Sequence, residues 1–233
     1  MCGRYAIRTS TPELAALLGL EPTLHANAIG HAQLTSYNIA PTQPVLAIRK
    51  TDAERAYCTL RWGLIPSWAK DLKIGARLIN ARGETVADKP AFRTAFRRRR
   101  CLLPASGFFE WKKVGKLRQP YYFRMADQAP FCFAGLWERW QSPDGETFES
   151  ASIITTHANE VVKAVHHRMP VILDPKNYEL WLSEDSGPAD LNELLAPFPD
   201  SAMIGDPVST HVNKVQNNDA SCIEPIDPTT VVG

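Results

Sequence analysis

The sequence has no excess of charge of either sign. Its 26 lysines and arginines stand against 25 aspartates and glutamates, a net charge of +1. No global field recruits an anion, so any affinity for nucleic acid has to come from a local patch. There is also no C-x-x-C pair. The five cysteines, Cys2, Cys58, Cys101, Cys132 and Cys222, are scattered, which argues against a zinc site, and no metal or cofactor is expected. The odd cysteine count, with no apolar h-region near the first residue, points to a reducing cytosol or nucleus. No apolar run reaches the roughly 18 residues of a membrane span, and there is no internal repeat or low-complexity segment. What is present is 233 residues, 44% of them hydrophobic, enough to bury a substantial core.

Along the chain, strand and helix signals alternate at short range. Ser10, Pro12 and Glu13 spell a capped helix that Gly19 ends. Residues 20–36 read as loop, with His25 and His31 exposed. Val45 to Arg49 and Arg55 to Arg61 read as a hairpin turning over residues 51–54. Ala91 to Arg97 reads as a short helix. The run Arg97-Arg98-Arg99-Arg100 after it is either a solvated helix end or a nucleic-acid contact. Further strands are expected at Cys101 to Ala105, Tyr121 to Met125, Phe131 to Trp137, Ser152 to Thr156 and Val208 to Val212. Helices are expected across Asn159 to Val165, Asp174 to Leu182 and Ala189 to Leu195. Short loops and interspersed elements predict one α+β domain over residues 1–233, with a mixed, largely antiparallel, barrel-like β core flanked by short helices.

Several stretches carry groups with chemistry, and each has a plain structural alternative. Removal of Met1 would leave Cys2 with an α-amine and a thiol on adjacent carbons, a 1,2-aminothiol. The amine titrates at about 7.7–8.0 and the thiol near 8.5, so both nucleophiles are accessible near neutral pH; otherwise Cys2 is a small buried residue at the start of a strand. Trp62 and Trp68 bracket Gly63 and Pro66 in a shaped loop. Trp62 reads as core, and Trp68 as either a base-stacking platform or a core cap. Asn80 and Arg82 share one side of an extended backbone and suit a phosphate or sugar oxygen. Glu110 lies among Phe108, Phe109 and Trp111. Facing inward it would be a general acid with a raised pKa; facing outward it is an ordinary strand carboxylate. Of the adjacent His166 and His167, at most one should face a site, because neighbours on a strand point to opposite faces.

These stretches together resemble the SRAP (SOS-response-associated peptidase) family. The matching pieces are Met1-Cys2-Gly3-Arg4-Tyr5, Asn38-Ile39-Ala40-Pro41-Thr42, Arg61-Trp62-Gly63-Leu64-Ile65-Pro66, Asn80-Ala81-Arg82-Gly83-Glu84-Thr85, Gly107-Phe108-Phe109-Glu110-Trp111 and His166-His167-Arg168-Met169-Pro170. The resemblance implies a protein that senses and shields abasic sites in single-stranded DNA during the damage response. Cys2 would be the nucleophile that forms a thiazolidine with the ring-opened sugar, Asn80 a positioning residue, Glu110 the acid/base and His166 the histidine. It implies DNA contacts at Arg4, Trp68, Arg82 and Arg168, a monomer, and a cytoplasmic location, at the nucleoid if the source is bacterial. Two positions depart from the pattern: Gly83 stands where many members have alanine, and Phe109 where many have tyrosine, which would remove a hydroxyl near the site. Two rival readings remain open, a thiol peptidase using Cys2, with self-removal of Met1 as its minimal form, and a non-covalent single-stranded DNA-binding module.

Overall fold

The computed structural model describes residues 2–19, 35–50, 55–227 and 229. Met1, His25, His31 and the expected turn at residues 51–54 lie outside them. Strand β1 (Tyr5–Arg8) leads into helix α1 (Thr11–Leu18). The Ser10 side chain accepts the Glu13 N–H, the Glu13 carboxylate accepts the Ser10 N–H, and Gly19 ends the helix in the left-handed region. Next come β2 (Thr35–Ile39), β3 (Pro44–Lys50), β4 (Arg55–Trp62) and the short β5 (Asn80–Arg82). Helix α2 (Arg93–Arg98) precedes β6 (Arg100–Ala105), β7 (Gly107–Val114), β8 (Leu117–Met125), β9 (Phe131–Gln141) and β10 (Thr147–His157). The rest is α3 (Glu160–Lys163), β11 (Arg168–Pro170), β12 (Ile172–Leu173), α4 (Tyr178–Leu182), α5 (Pro188–Glu193) and β13 (Met203–Pro207).

Five strands close on themselves. β10 bonds to β4, β4 to β3, β3 to β6, β6 to β9, and β9 returns to β10. The β10–β4 pairing is parallel and the other four are antiparallel, which realises the mixed, barrel-like core read from the sequence. Closure removes the sheet edges. Helices α2 and α4 pack against the outside of β6, so β6 is buried at every residue and Cys101 to Ala105 reads as a continuous apolar run instead of an alternating one. A second sheet, ordered β13-β8-β7-β1-β2, packs beside the barrel. Tyr5 joins the two: its ring meets Trp62 at 5.3 Å and Phe133 at 5.6 Å, and all three side chains are fully buried. No helix among the described residues is long and apolar enough to cross a membrane.

Three expectations need correction. Thr35 to Ile39, read as loop and lead-in, is a strand paired with β1. The last strand is Met203–Pro207, whereas Thr210–Asn213 is a 3-10 turn in which the Ser209 hydroxyl accepts the His211 N–H. The β-branched Val208, Thr210 and Val212 favour a strand, but the local side-chain bond closes a turn instead. Arg100 is not part of a solvated helix end. It is 4% exposed and donates to the carbonyls of Trp181, Phe96, Arg97 and Ser183, tying α2 and α4 to the barrel.

The loop after β4 rests on two glycines in contact. Gly63 has φ +121°, and a Cβ on it would lie 2.6 Å from the Gly75 carbonyl oxygen. Gly145 has φ +87° with open space around it. Gly63→Ala should therefore cost about 2 kcal/mol or more and Gly145→Ala about 1. Thermal denaturation should show a drop of about 4–8 °C for the first and roughly half that for the second; equal drops would contradict the close approach.

Candidate active site

The N-terminal segment lies alongside β7. Tyr5 pairs with Phe108 and Ala6 with Gly107, and the Phe109 N–H donates to the Arg4 carbonyl at 3.0 Å. Continuing this antiparallel register sets Gly3 opposite Glu110, and the Cys2 thiol lies near enough to feel the Glu110 charge. Asn80 arrives from the barrel side. Strand β10 begins within the barrel beside β4, then leaves it and takes β5 along one edge and β11 along the other. That split carries Asn80 and the turn before β11, with His166, to one end of β10. The Asn80 amide donates to the Cys2 carbonyl at 2.8 Å, and His166 Nδ1 lies 3.9 Å from Glu110 Oε1. Cys2, Asn80, Glu110 and His166, which are widely separated in sequence, are thus brought together. The Asn80 Oδ1 is buried with no hydrogen-bond partner among the described residues.

The enclosure sets the protonation of these groups. Glu110 is 3% exposed, and desolvation holds its pKa above the usual carboxylate range, which favours the acid form. Cys2 is completely buried. Burial pushes its thiol far up, and the neighbouring Glu110 carboxylate adds to the effect. The S–H is directed at the Arg4 carbonyl, 3.9 Å away. The expectation that the thiolate is accessible near neutral pH is therefore corrected. Burial holds His166 below its ordinary value, so its imidazole is neutral near pH 7. His166 and His167 do not alternate as strand neighbours would. They lie on irregular backbone between α3 and β11, and their rings stack at 4.4 Å.

The four expected DNA contacts divide into two pairs. Trp68 is 59% exposed and Arg82 is exposed on β5, both available to a ligand. Arg4 and Arg168 are already engaged. Arg4 Nη1 donates to Asn38 Oδ1 at 2.6 Å and to the Val212 carbonyl at 2.8 Å. Arg168 is buried and its guanidinium holds Glu84 through both Nη atoms. Their partners, Asn38 and Glu84, fall within the matching motifs but were given no role from sequence; a polar residue at a position otherwise packed in core, as with Asn38 at 2% exposed, is the signal that could have found one. Trp62 is core, as read. Phe109 packs with Tyr122, Val208, Val212 and Cys222, on the pleat face opposite Glu110. The missing hydroxyl there is consequently outside the site, which corrects the expectation. A Cβ on Gly83 would meet Leu195 at an ordinary 3.4 Å.

One cluster of potential metal donors occurs among the described residues: His211, Asp219 and Cys222, with ligand atoms within 4.8 Å of one another. Asp219 Oδ2 pairs with His211 Nε2 at 2.9 Å, and the Cys222 S–H points to the Asn217 carbonyl at 3.4 Å. The group closes the segment whose Val212 carbonyl receives Arg4.

A family model described as SOS response associated peptidase (SRAP) matches residues 1–215. The chain is 38% identical over 226 residues to the abasic site processing protein YoqW of Bacillus subtilis, covering 96% of this chain and 99% of that one. It is 30% identical over 232 residues to the abasic site processing protein YedK of Escherichia coli, covering 97% and 100%. With the abasic site processing protein HMCES of Gallus gallus it shares 34% over 225 residues, covering 82% and 66%. A solved structure of a protein from Bacteroides thetaiotaomicron superposes with a TM-score of 0.86 at 28% identity, covering 97% of this chain and 100% of that one.

The raised pKa of Glu110 has a consequence for stability. A carboxyl group whose folded pKa lies above its unfolded value loses stability as pH rises through that range. Glu110→Gln removes the penalty. The variant should gain on the wild type as pH rises from 4 to 8, read from urea unfolding at the two pH values. A stability difference that does not change with pH would show that the carboxyl is not held in its acid form.

Proposed function

Because the chain belongs to the SOS response associated peptidase (SRAP) family, we propose that it processes abasic sites in DNA by joining Cys2 covalently to the opened deoxyribose. The observation that carries this reading is the enclosure of Cys2, whose carbonyl is held by Asn80 and whose thiol lies beside a carboxyl group that burial keeps acidic. Once Met1 is removed, Cys2 offers an α-amine at this position.

The chemistry follows from these groups. An abasic deoxyribose is mostly a closed hemiacetal. Glu110 in its acid form protonates the ring oxygen as the anomeric hydroxyl gives up its proton, and the aldehyde opens. The Cys2 amine adds to the aldehyde carbon, and the resulting carbinolamine loses one water to give an imine. The thiol then adds across the C=N bond: sulfur bonds to carbon, and its proton ends on nitrogen. A five-membered thiazolidine results, with one water released overall. Neutral His166 and the Asn80 amide orient the sugar and relay protons. A thiol held in its protonated state suits this order, amine first and sulfur second. It is the reverse of the activated thiolate that a peptidase nucleophile requires. Exposed Trp68 and Arg82 supply stacking and phosphate contact for a single strand from which the lesion can be splayed. The protein acts as a monomer in the cytoplasm, and residues 1–233 work as one domain.

The test is incubation of the Met1-processed protein with single-stranded DNA containing an abasic site, followed by a denaturing gel. Wild type should give a stable shifted band, and Glu110→Gln should form it about 10²–10⁴-fold more slowly. Cys2→Ala keeps an α-amine, so it should give a band only when borohydride traps the imine. A stable band from Cys2→Ala would contradict the assignment; peptide cleavage with no DNA adduct would favour the peptidase reading.

A further inference from the structure

The chain is close to neutral, yet one segment is wholly basic. From Trp111 to Ala126 it carries Lys112, Lys113, Lys116, Arg118 and Arg124 and no carboxylate. Arg124 is paired with Asp206 on β13 at 3.1 Å. The other four lie in the outer part of the β7–β8 hairpin, and each is exposed. Among the described residues, none of the four is bonded to a carboxylate. Gly115, with φ +59°, opens the two-residue turn, as a tight hairpin requires. Lys113 stands directly opposite Arg118 in the register, and like charges so placed destabilise a sheet. Neighbours on a strand point to opposite faces, and Lys112 and Lys113 are both in solvent, so the tip projects clear of the core. An anion laid against it would relieve the repulsion.

The hairpin is continuous with the candidate site. Glu110 and Lys112 share one face of β7, about 7 Å apart along the strand. On the other face Lys113 follows Trp111, whose ring lies 5.9 Å from the Arg4 guanidinium. Leu117, opposite Val114, is 53% exposed. It sets an apolar side chain among the cations, which suits a sugar or a base and not a bare phosphate ion. Arg82, on β5, belongs to the barrel side, whereas the hairpin belongs to the second sheet. The site lies where the two meet.

We propose that the β7–β8 hairpin is a second DNA-binding element: Lys112, Lys113, Lys116 and Arg118 hold the phosphates of the single strand next to the lesion when the abasic sugar occupies the site at Cys2 and Glu110. This rests on the reading of the chain as a protein that acts on DNA. It supplies the local basic patch that a near-neutral chain needs to hold a polyanion. The contacts are to the backbone, so they place the strand without selecting its sequence.

The test is binding of an intact single strand, followed by fluorescence anisotropy across a range of salt. The variant Lys112→Gln/Lys113→Gln/Lys116→Gln/Arg118→Gln keeps long polar side chains and removes the charges, including the Lys113–Arg118 repulsion. Its slope of log affinity against log salt should be shallower by about 2, at about 0.7 per phosphate released, with affinity at low salt down about tenfold or more. An unchanged slope would overturn the proposal. So would a loss of binding to phosphatidylserine vesicles with strand binding intact, which would assign the tip to a membrane surface. Acetylation footprinting of the wild type needs no variant. The strand should protect Lys112, Lys113 and Lys116, and equal labelling with and without DNA would overturn the assignment even if the variant does not fold. Neither readout involves a covalent step. A wild type that forms no crosslink yet shows both effects would sink the crosslinking reaction and leave the hairpin standing. A variant that binds and crosslinks like the wild type would do the reverse.

Discussion

A carboxyl group buried beside a thiol destabilises the fold unless it keeps its proton, and that constraint governs the site. Glu110 sits at the point where the second sheet meets the end of the barrel, 3% exposed. Desolvation pushes the pKa of the carboxyl and of the neighbouring Cys2 thiol up and so favours their protonated forms. The same desolvation lowers the pKa of His166. Each of these shifts favours the uncharged form of its group, which the surrounding core tolerates. In the proposed reaction, a sugar that needs a proton donor to open, then an amine and then a thiol, would meet these groups in the order that their protonation allows.

The architecture supports that state through two devices. Tyr5, wedged against Trp62 and Phe133, fixes the N-terminal strand on the barrel three residues after Cys2. Arg4 adds a second anchor through Asn38 and the Val212 carbonyl. The N-terminal segment, often the least ordered part of a chain, is here held from both sides. On the barrel side, β10 changes partners along its 11 residues. Its early part closes the barrel, and its later part carries β5 and β11, and with them Asn80 and His166. A strand confined to the closed barrel would have no edges left to offer these two short neighbours.

Much of this was legible in the sequence, and what was not has identifiable causes. The capping box at Ser10 and Glu13, the β3–β4 hairpin and the apolar run of β6 are local patterns, and local patterns survive into the fold. Whether Glu110 faced inward could not be read, because Gly107 to Glu110 are buried on both faces of β7, which erases the period-2 signal. Arg4 and Arg168 looked like surface cations because their partners are distant: Val212 lies 208 positions from Arg4, and Glu84 lies 84 positions from Arg168. The histidine pair was expected to split across a strand that begins only at Arg168. Closure of the barrel depends on β10 meeting β4 and on β3 meeting β6, non-local pairings to which hydrophobic periodicity is blind. The chemistry at Cys2 was legible from two atoms on adjacent carbons; its protonation state required the burial.

The central claim is that Cys2, freed of Met1, forms the covalent bond to the abasic sugar through both its nitrogen and its sulfur. Peptide mass spectrometry of the crosslinked, nuclease-digested protein tests it most directly. The account predicts an N-terminal peptide that begins at Cys2, lacks Met1 and carries one deoxyribose residue, with one water lost on joining and no free thiol detectable by alkylation at Cys2. A sugar found on a lysine, or a Cys2 that still alkylates in the adduct, would contradict it.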